Sequence, residues 1–229
     1  MGLNMDNKTT WYCDKCGIVS EVQVYNKSLK KPGFKIAPIL PLCKRCGNSV
    51  VLSESNKIYS NKILVLTGPC GSGKTSIAEY LYQNHEFNAV DLDCLIDLVK
   101  YRFNKKSIDF NSKEVINELT NSINILLHYE HDLVLSLIIQ PDKLDMYKDI
   151  FRSFGVQYKI VFLYSDYTTI LNRTKTRKCF NSVTPEKWVK HFYDEMMPLK
   201  DVITDHFNIL DSTDSSIEET ANILLKSFK

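Results

Sequence analysis

No stretch of this chain is apolar for long enough to cross a bilayer, since none approaches the ~20 residues that a spanning helix needs. The first ten residues are polar and lack a secretory h-region, so a cytoplasmic setting is the default expectation. No internal repeat or low-complexity segment organises the chain. The five histidines, His85, His128, His131, His191 and His206, form no metal-spaced pair and read as surface or capping residues. A strong charge of either sign is also missing overall, but the net +2 hides an asymmetry. Residues 1–62 carry ten Lys/Arg against four Asp/Glu, a balance of +6, and residues 63–229 carry −4. Such a basic front end suits a phosphate backbone, and it equally suits compensation of metal-bound thiolates.

At 229 residues the chain can hold one sizeable core and a small accessory module. Its centre is the apolar, β-branched run Ile63, Leu64, Val65, Leu66 and Thr67. The run opens directly into Gly68, Pro69, Cys70, Gly71, Ser72, Gly73, Lys74 and Thr75, and a helix-compatible segment follows from Ser76. This G-x4-G-K-T spacing between strand and helix is that of a phosphate-binding loop. Glycines let successive N–H groups approach phosphate oxygens at the positive end of the helix. Lys74 would reach the β and γ phosphates of ATP, and the Thr75 hydroxyl would ligate Mg²⁺.

Two C-x2-C pairs, Cys13 with Cys16 and Cys43 with Cys46, are separated by 26 residues, and each is followed by glycine, Gly17 and Gly47. Four thiolates so arranged predict a tetrahedral structural Zn²⁺ site in a zinc-ribbon-like module over residues 1–57. Disulfides are disfavoured in a reducing compartment, and four thiolates leave no open position for catalysis. Residues 18–25 alternate like one strand, with Pro32, Gly33 and Pro38 supplying turns. Trp11, Tyr12, Tyr25 and Phe34 lie among lysines, a mixture that suits base stacking or packing around a ribbon. The module's role stays open between nucleic-acid contact, protein contact and support of the next domain. Residues 53–57 read as a connection, with a second domain over residues 58–229.

That second domain alternates strand and helix. Expected strands cover residues 63–67, 89–93, 133–139, 158–164 and 207–210. Helical periods follow the phosphate loop, then Val115, Ile116, Leu119, Ile123 and Leu126 behind a cap at Asn111 or Ser112, then Leu144, Tyr147, Ile150 and Phe151. Ser216 to Glu219 forms a capping box before Ala221, Leu224, Leu225 and Phe228. The pattern predicts an α/β fold, a parallel sheet covered by helices on both faces, with ligands at the carboxyl ends of the strands.

Asp91 and Asp93, at the end of the second expected strand, would face one side by strand alternation. One would hold Mg²⁺ and the other would accept the proton of an attacking hydroxyl. Arg173 and Arg177 lie four apart on one helical face, and positive charge there serves phosphoryl transfer, Arg173 nearer the nucleotide and Arg177 on a mobile segment. Cys70 and Cys94 read as space-filling or packing residues, and Met196 and Met197 as fillers of a hydrophobic groove.

On these residues the chain resembles the small P-loop kinases of the shikimate kinase, gluconate kinase and chloramphenicol phosphotransferase group, over about residues 62–229. The features that carry the likeness are residues 68–75, Asp91 with Asp93, Leu171 with Arg173 and Arg177, and the run 209–213 on the adenine side. Ser76 joins the nucleotide-facing residues by continuity with the loop. The resemblance implies sheet order 2-3-1-4-5, Asp91 near Mg²⁺, Asp93 at the acceptor hydroxyl, and a lid over about residues 175–183. It departs in two ways. The third strand lacks a terminal acid, and the family's substrate arginines and glycine-rich pocket are not visible. The expectation is therefore an ATP-dependent phosphotransferase acting on a hydroxyl of a small molecule or nucleotide. Its rivals are a nucleic-acid end kinase recruited by the basic front end and a nucleotide-dependent switch that binds a protein.

Overall fold

The computed structural model describes residues 11–13, 15–19, 22–25, 40–46, 50–52, 60–127, 131–176, 186–202 and 207–228. Arg177, the expected lid beyond Thr176, the turns at Pro32, Gly33 and Pro38, Phe34, Gly47, the connection over 53–57, His128 and His206 lie outside the described residues.

Among the described residues five short strands come first: β1 (Trp11–Cys13), β2 (Gly17–Val19), β3 (Val22–Tyr25), β4 (Leu40–Cys43) and β5 (Val51–Leu52). The strand expected over 18–25 is thus two strands in two sheets. β1 pairs antiparallel with β2 and β5, whereas β3 pairs with β4. Gly17, at φ +73°, turns the chain so that β2 folds back on β1 beside Cys13 and Cys16, whereas β3 pairs with the strand that ends at Cys43.

From residue 63 the chain alternates as the periodicity predicts. β6 (Ile63–Thr67) leads to α1 (Lys74–Asn84), β7 (Asn88–Asp91), α2 (Leu92–Arg102), α3 (Lys113–Leu126), β8 (Leu133–Ser136) and α4 (Leu144–Ser153). Then come β9 (Tyr158–Tyr164), α5 (Tyr167–Thr176), α6 (Glu186–Met196), β10 (Phe207–Asp211) and α7 (Ile217–Phe228). The five strands β6 to β10 form one parallel sheet in the order β10-β9-β6-β8-β7, which counted along the chain within this sheet reads 2-3-1-4-5 from its β7 edge.

Why these runs are apolar throughout follows from the two layers. In β6, Ile63 and Val65 point into one core with Leu119, Tyr147 and Phe151. Leu64 and Leu66 point into the other with Ile77, Leu81 and Leu224. Met196 is fully buried in the first core, as the groove-filling reading of the pair 196–197 expects. α3 does double duty. Val115, Leu119, Ile123 and Leu126 face the sheet, and Ile125 joins Trp11, Cys13, Cys43 and Val50 in a third cluster.

Two boundaries and one helix differ from the sequence reading. β8 stops at Ser136, because its partner β6 gives way to the phosphate loop; beyond it Leu137 N–H bonds the Leu66 carbonyl and Ile139 N–H bonds the Thr67 hydroxyl. The second strand of the sheet ends at Asp91, so Asp93 sits in the first turn of α2 and not on a strand. Helix α6 had no sequence counterpart. No helix among the described residues is long and apolar enough to cross a membrane.

Candidate active site

Glycine shapes the loop between β6 and α1. At Gly68, φ is +147° and a Cβ would lie 2.0 Å from the Leu163 carbonyl oxygen, so only glycine lets β9 pack against the start of the loop. Gly73 stands at the N-cap of α1 with φ +97°. That helix start has no side-chain cap and no acid in its first turn, which leaves its N–H groups and positive dipole end for an outside anion.

Lys74 is largely buried, and its ammonium donates to the carbonyl oxygens of Gly68 at 2.8 Å and Pro69 at 3.0 Å. The Thr75 hydroxyl donates to Asp91 Oδ2 at 2.8 Å and lies 3.3 Å from the Ser136 hydroxyl. Asp91 Oδ1 accepts from the Asp93 N–H at 3.0 Å, which makes Asp91 the N-cap of α2. Its carboxylate is buried and is met by a hydroxyl and an amide, both neutral donors. Together with the hydroxyls of Thr75 and Ser136 it forms a hard-oxygen set of the kind Mg²⁺ takes.

Asp91 and Asp93 do converge, although by helix capping and not by strand alternation. Both line a cleft of about 50 Å³ with Cys70, Gly71, Gly73, Lys74, Thr75, Leu92, Ser136, Leu137 and Ile138. Cys70 is thus a wall of this cleft, while Cys94 is buried as a packing residue. Ser136 escaped the sequence reading, where its one trace was a polar residue inside an apolar run.

A larger cleft of about 410 Å³ lies on the other side of the loop, walled by Gly71, Ser72, Gly73, Ser76, Ile77, Arg173 and the start of α7 from Ser215 to Ile217 and Thr220. Arg173 acts there as a brace. Its guanidinium donates to the Ser165 hydroxyl at 2.9 Å and to the carbonyls of Ser212 at 2.8 Å and Thr213 at 3.3 Å. Ser212, within the run 209–213 expected on the adenine side, donates to the carbonyls of Ser72 and Tyr164, so loop and sheet end are tied together. Asp166 at the start of α5 is held below the usual carboxylate range by the hydroxyl and amide of Thr169, with Arg173 adding to the effect.

The four cysteine sulfurs Cys13, Cys16, Cys43 and Cys46 all lie within 4.8 Å of one another, and Cys13 Sγ is 3.5 Å from Cys46 Sγ. A Zn²⁺ tetrahedron with Zn–S near 2.3 Å has edges of about 3.8 Å, so the cluster fits that ion. Burial pushes the Cys43 thiol up, but the amides of Arg45 and Cys46 and the neighbouring thiols outweigh it and hold it at about 7.

Comparison with known proteins bears on both fold and family. The tunicamycin resistance protein of Deinococcus radiodurans is similar with a TM-score of 0.58 at 14% identity, covering 73% of this chain and 95% of that one. A sugar kinase from Janibacter sp. gives 0.54 at 14% identity, covering 72% and 93%. A gluconokinase from Sinorhizobium meliloti gives 0.51 at 15% identity, covering 75% and 97%. These identities establish likeness of fold, and the fold is that of the P-loop kinases. No curated protein sequence matches the chain. The family model described as AAA domain matches residues 64–187, more than half of the chain, and the protein belongs to that family.

Proposed function

We propose that the protein transfers the γ-phosphoryl group of ATP to a hydroxyl of a small molecule or nucleotide. What carries the reading is one cleft at the carboxyl ends of β6, β7 and β8 that holds Lys74, Thr75, Asp91, Ser136 and Asp93 together. The loop over residues 68–76 cradles the phosphates with its backbone N–H groups, Pro69 having none, and Lys74 exchanges its two carbonyl acceptors for β and γ oxygens. Thr75 and Asp91 would hold Mg²⁺, which when bound neutralises charge on the phosphates. Asp93 accepts the acceptor's hydroxyl proton as that oxygen bonds to the γ phosphorus and the bond to the β–γ bridging oxygen breaks, releasing ADP. Arg173 steadies the nucleotide side, and Arg177, four residues on, completes the clamp.

Residues 1–57 form the structural zinc module and residues 58–229 the kinase domain in this scheme. Transfer of label from γ-labelled ATP to a panel of alcohols, sugars and nucleosides tests it. Labelled product is expected; slow release of phosphate with no labelled acceptor would instead identify a nucleotide-dependent switch. One observation favours a nucleic-acid acceptor as a second reading: Lys15, Lys44 and Arg45, in the two metal knuckles, are exposed. Salt-dependent retardation of single-stranded RNA or DNA, weakened by Lys44→Glu with Arg45→Glu, is its signature.

A further inference from the structure

Between β8 and α4 lies a segment that belongs to no strand and yet walls the catalytic cleft. Leu137 and Ile138 line that cleft together with Lys74 and Asp93. On one side the segment is held by the end of β6: Leu137 N–H donates to the Leu66 carbonyl at 2.9 Å, and Ile139 N–H to the Thr67 hydroxyl at 3.0 Å. Thr67 is the residue before Gly68, so these bonds fix the wall to the start of the phosphate loop. On the other side β7 ends at Asp91, opposite Ser136, and the ladder stops there.

The next residue, Gln140, supplies a hold of another kind with its side chain. Asn111 Nδ2, just before α3, donates to Gln140 Oε1 at 2.8 Å, and Gln140 Nε2 donates to Glu195 Oε1 on α6. Asn111 Oδ1 in turn accepts from the Tyr147 hydroxyl at 3.2 Å. The bonds run one way, from hydroxyl through two amides to a carboxylate, and each donor meets an acceptor. Burial, with the Asp109 charge adding to it, pushes the Tyr147 phenol up and keeps it a donor. At the far end Glu195 Oε2 is buried with no hydrogen-bond partner among the described residues, and His191 Nε2 stands 3.8 Å from it. Turning the Gln140 amide over would set N–H against N–H at Asn111 and oxygen against oxygen at Glu195, so the side chain has one orientation.

We infer that Gln140 is a positioning residue for the acceptor: its amide anchors the segment 137–139 to α3 and α6 and thereby sets where Leu137 and Ile138 stand beside Asp93. The inference rests on the phosphotransferase reading and adds to it a residue outside the cleft. Lys74 and Thr75 are held by the loop carbonyls and by Asp91, which this link does not touch, so its loss bears on the acceptor and spares ATP. An acceptor oxygen misplaced by ~1 Å loses up to ~10²-fold in rate.

The test uses the full-length, zinc-loaded protein with Gln140→Ala, with Gln140→Glu, and with Gln140→Glu and Glu195→Gln together. One readout is transfer from γ-labelled ATP to alcohols, sugars and nucleosides; the other is amide exchange at Leu137 and Ile139 in the free protein. Gln140→Ala is expected to lower kcat/KM for the acceptor at least about tenfold with the KM for ATP unchanged, and to speed exchange at both amides while those of β9 stay protected. Gln140→Glu sets two carboxylates against each other and should do the same more strongly. In the double variant the new carboxylate at position 140 accepts from Asn111 and from the new amide at position 195, so both readouts should return to within about threefold of wild type. Unchanged acceptor kcat/KM in Gln140→Ala overturns the inference, as does a double variant no better than Gln140→Glu. If no acceptor takes label, the phosphotransferase reading falls and exchange decides the anchor alone: faster exchange in Gln140→Ala, restored in the double variant, upholds it, and unchanged exchange removes it.

Discussion

The Thr75 hydroxyl donates to Asp91 Oδ2 across 2.8 Å and so joins the end of the phosphate loop to the end of β7. Asp91 also caps α2, which separates its structural duty from its charge. Asparagine can cap a helix as well as aspartate does but brings no negative charge to a cation. Asp91→Asn is therefore expected to keep its melting temperature within a few degrees while the Mg²⁺-dependent part of ATP affinity disappears. Calorimetric titration with and without Mg²⁺ checks this, and equal affinities of variant and wild type in Mg²⁺ would remove Asp91 from the metal site.

Asp93 sits one residue inside α2, and it is its backbone N–H that serves the cap. The residue also lines the cleft, so Asp93→Asn should spare ATP binding and lower kcat by roughly 10²–10⁴-fold, the range for loss of a general base. Full activity in the variant would refute the base assignment.

Gly68 tolerates no side chain. A Cβ 2.0 Å from the Leu163 carbonyl oxygen must displace β9 or the loop, so Gly68→Ala is expected to cost more than ~2 kcal/mol and to abolish ATP binding. Urea denaturation gives the first and fluorescent-nucleotide titration the second. Gly155 serves as the contrast: a Cβ there would meet no atom within 4 Å, and the cost is limited to the strain of its φ of +66°.

Chelation should loosen the thiolate cluster together with part of α3, because Ile125 shares a core with Trp11, Cys13 and Cys43. The expected signs are a red shift of Trp11 emission, faster amide exchange around Ile125, and a fall in melting temperature of at least ~5 °C, the shift for about 2 kcal/mol in a chain of this size. An unchanged melting temperature in metal-free protein would count against structural zinc.

At the start of α7, Ser216 N–H donates to Glu219 Oε2 at 2.8 Å and Glu219 N–H to the Ser216 hydroxyl at 3.1 Å, and Ser216 also walls the larger cleft. Ser216→Ala should cost about 1 kcal/mol and weaken ATP binding. The Ser216 amide and hydroxyl depress the titration of Glu219, as those of Thr169 depress that of Asp166. Both carboxylates thus stabilise the fold fully above their unfolded values near 4, and that stability is lost as pH falls through the lower folded values. The melting temperature should hold from neutral pH to about 5 and then decline, less steeply in Glu219→Gln.

Much of this was legible beforehand because it is local. The capping box at 216–219, the Ser112 cap of α3 and strand β9 from Tyr158 to Tyr164 follow from residues adjacent in the chain. Where partners are distant, sequence reasoning slipped: β8 is shorter than its apolar run because β6 stops, and residues 18–25 divide between β2, which pairs with β1, and β3, which pairs with β4. Helix α6 was missed although Val189 and Met196 are buried at helical spacing, since the exposed Trp188 and the half-buried Phe192 and Tyr193 blur the apolar pattern.

From the chain alone came the anion loop, the four-thiolate spacing and the alternating α/β plan, all set by short-range chemistry: glycine torsions, ligand spacing and the periods of helix and strand. Tertiary structure decided that Ser136 stands beside Thr75 and Asp91, that Arg173 braces the Ser212 segment, and that Gln140 meets Glu195 of α6. Those pairs are tens of residues apart in sequence. Only the register of a parallel sheet and the packing of its helices could bring them within hydrogen-bond reach.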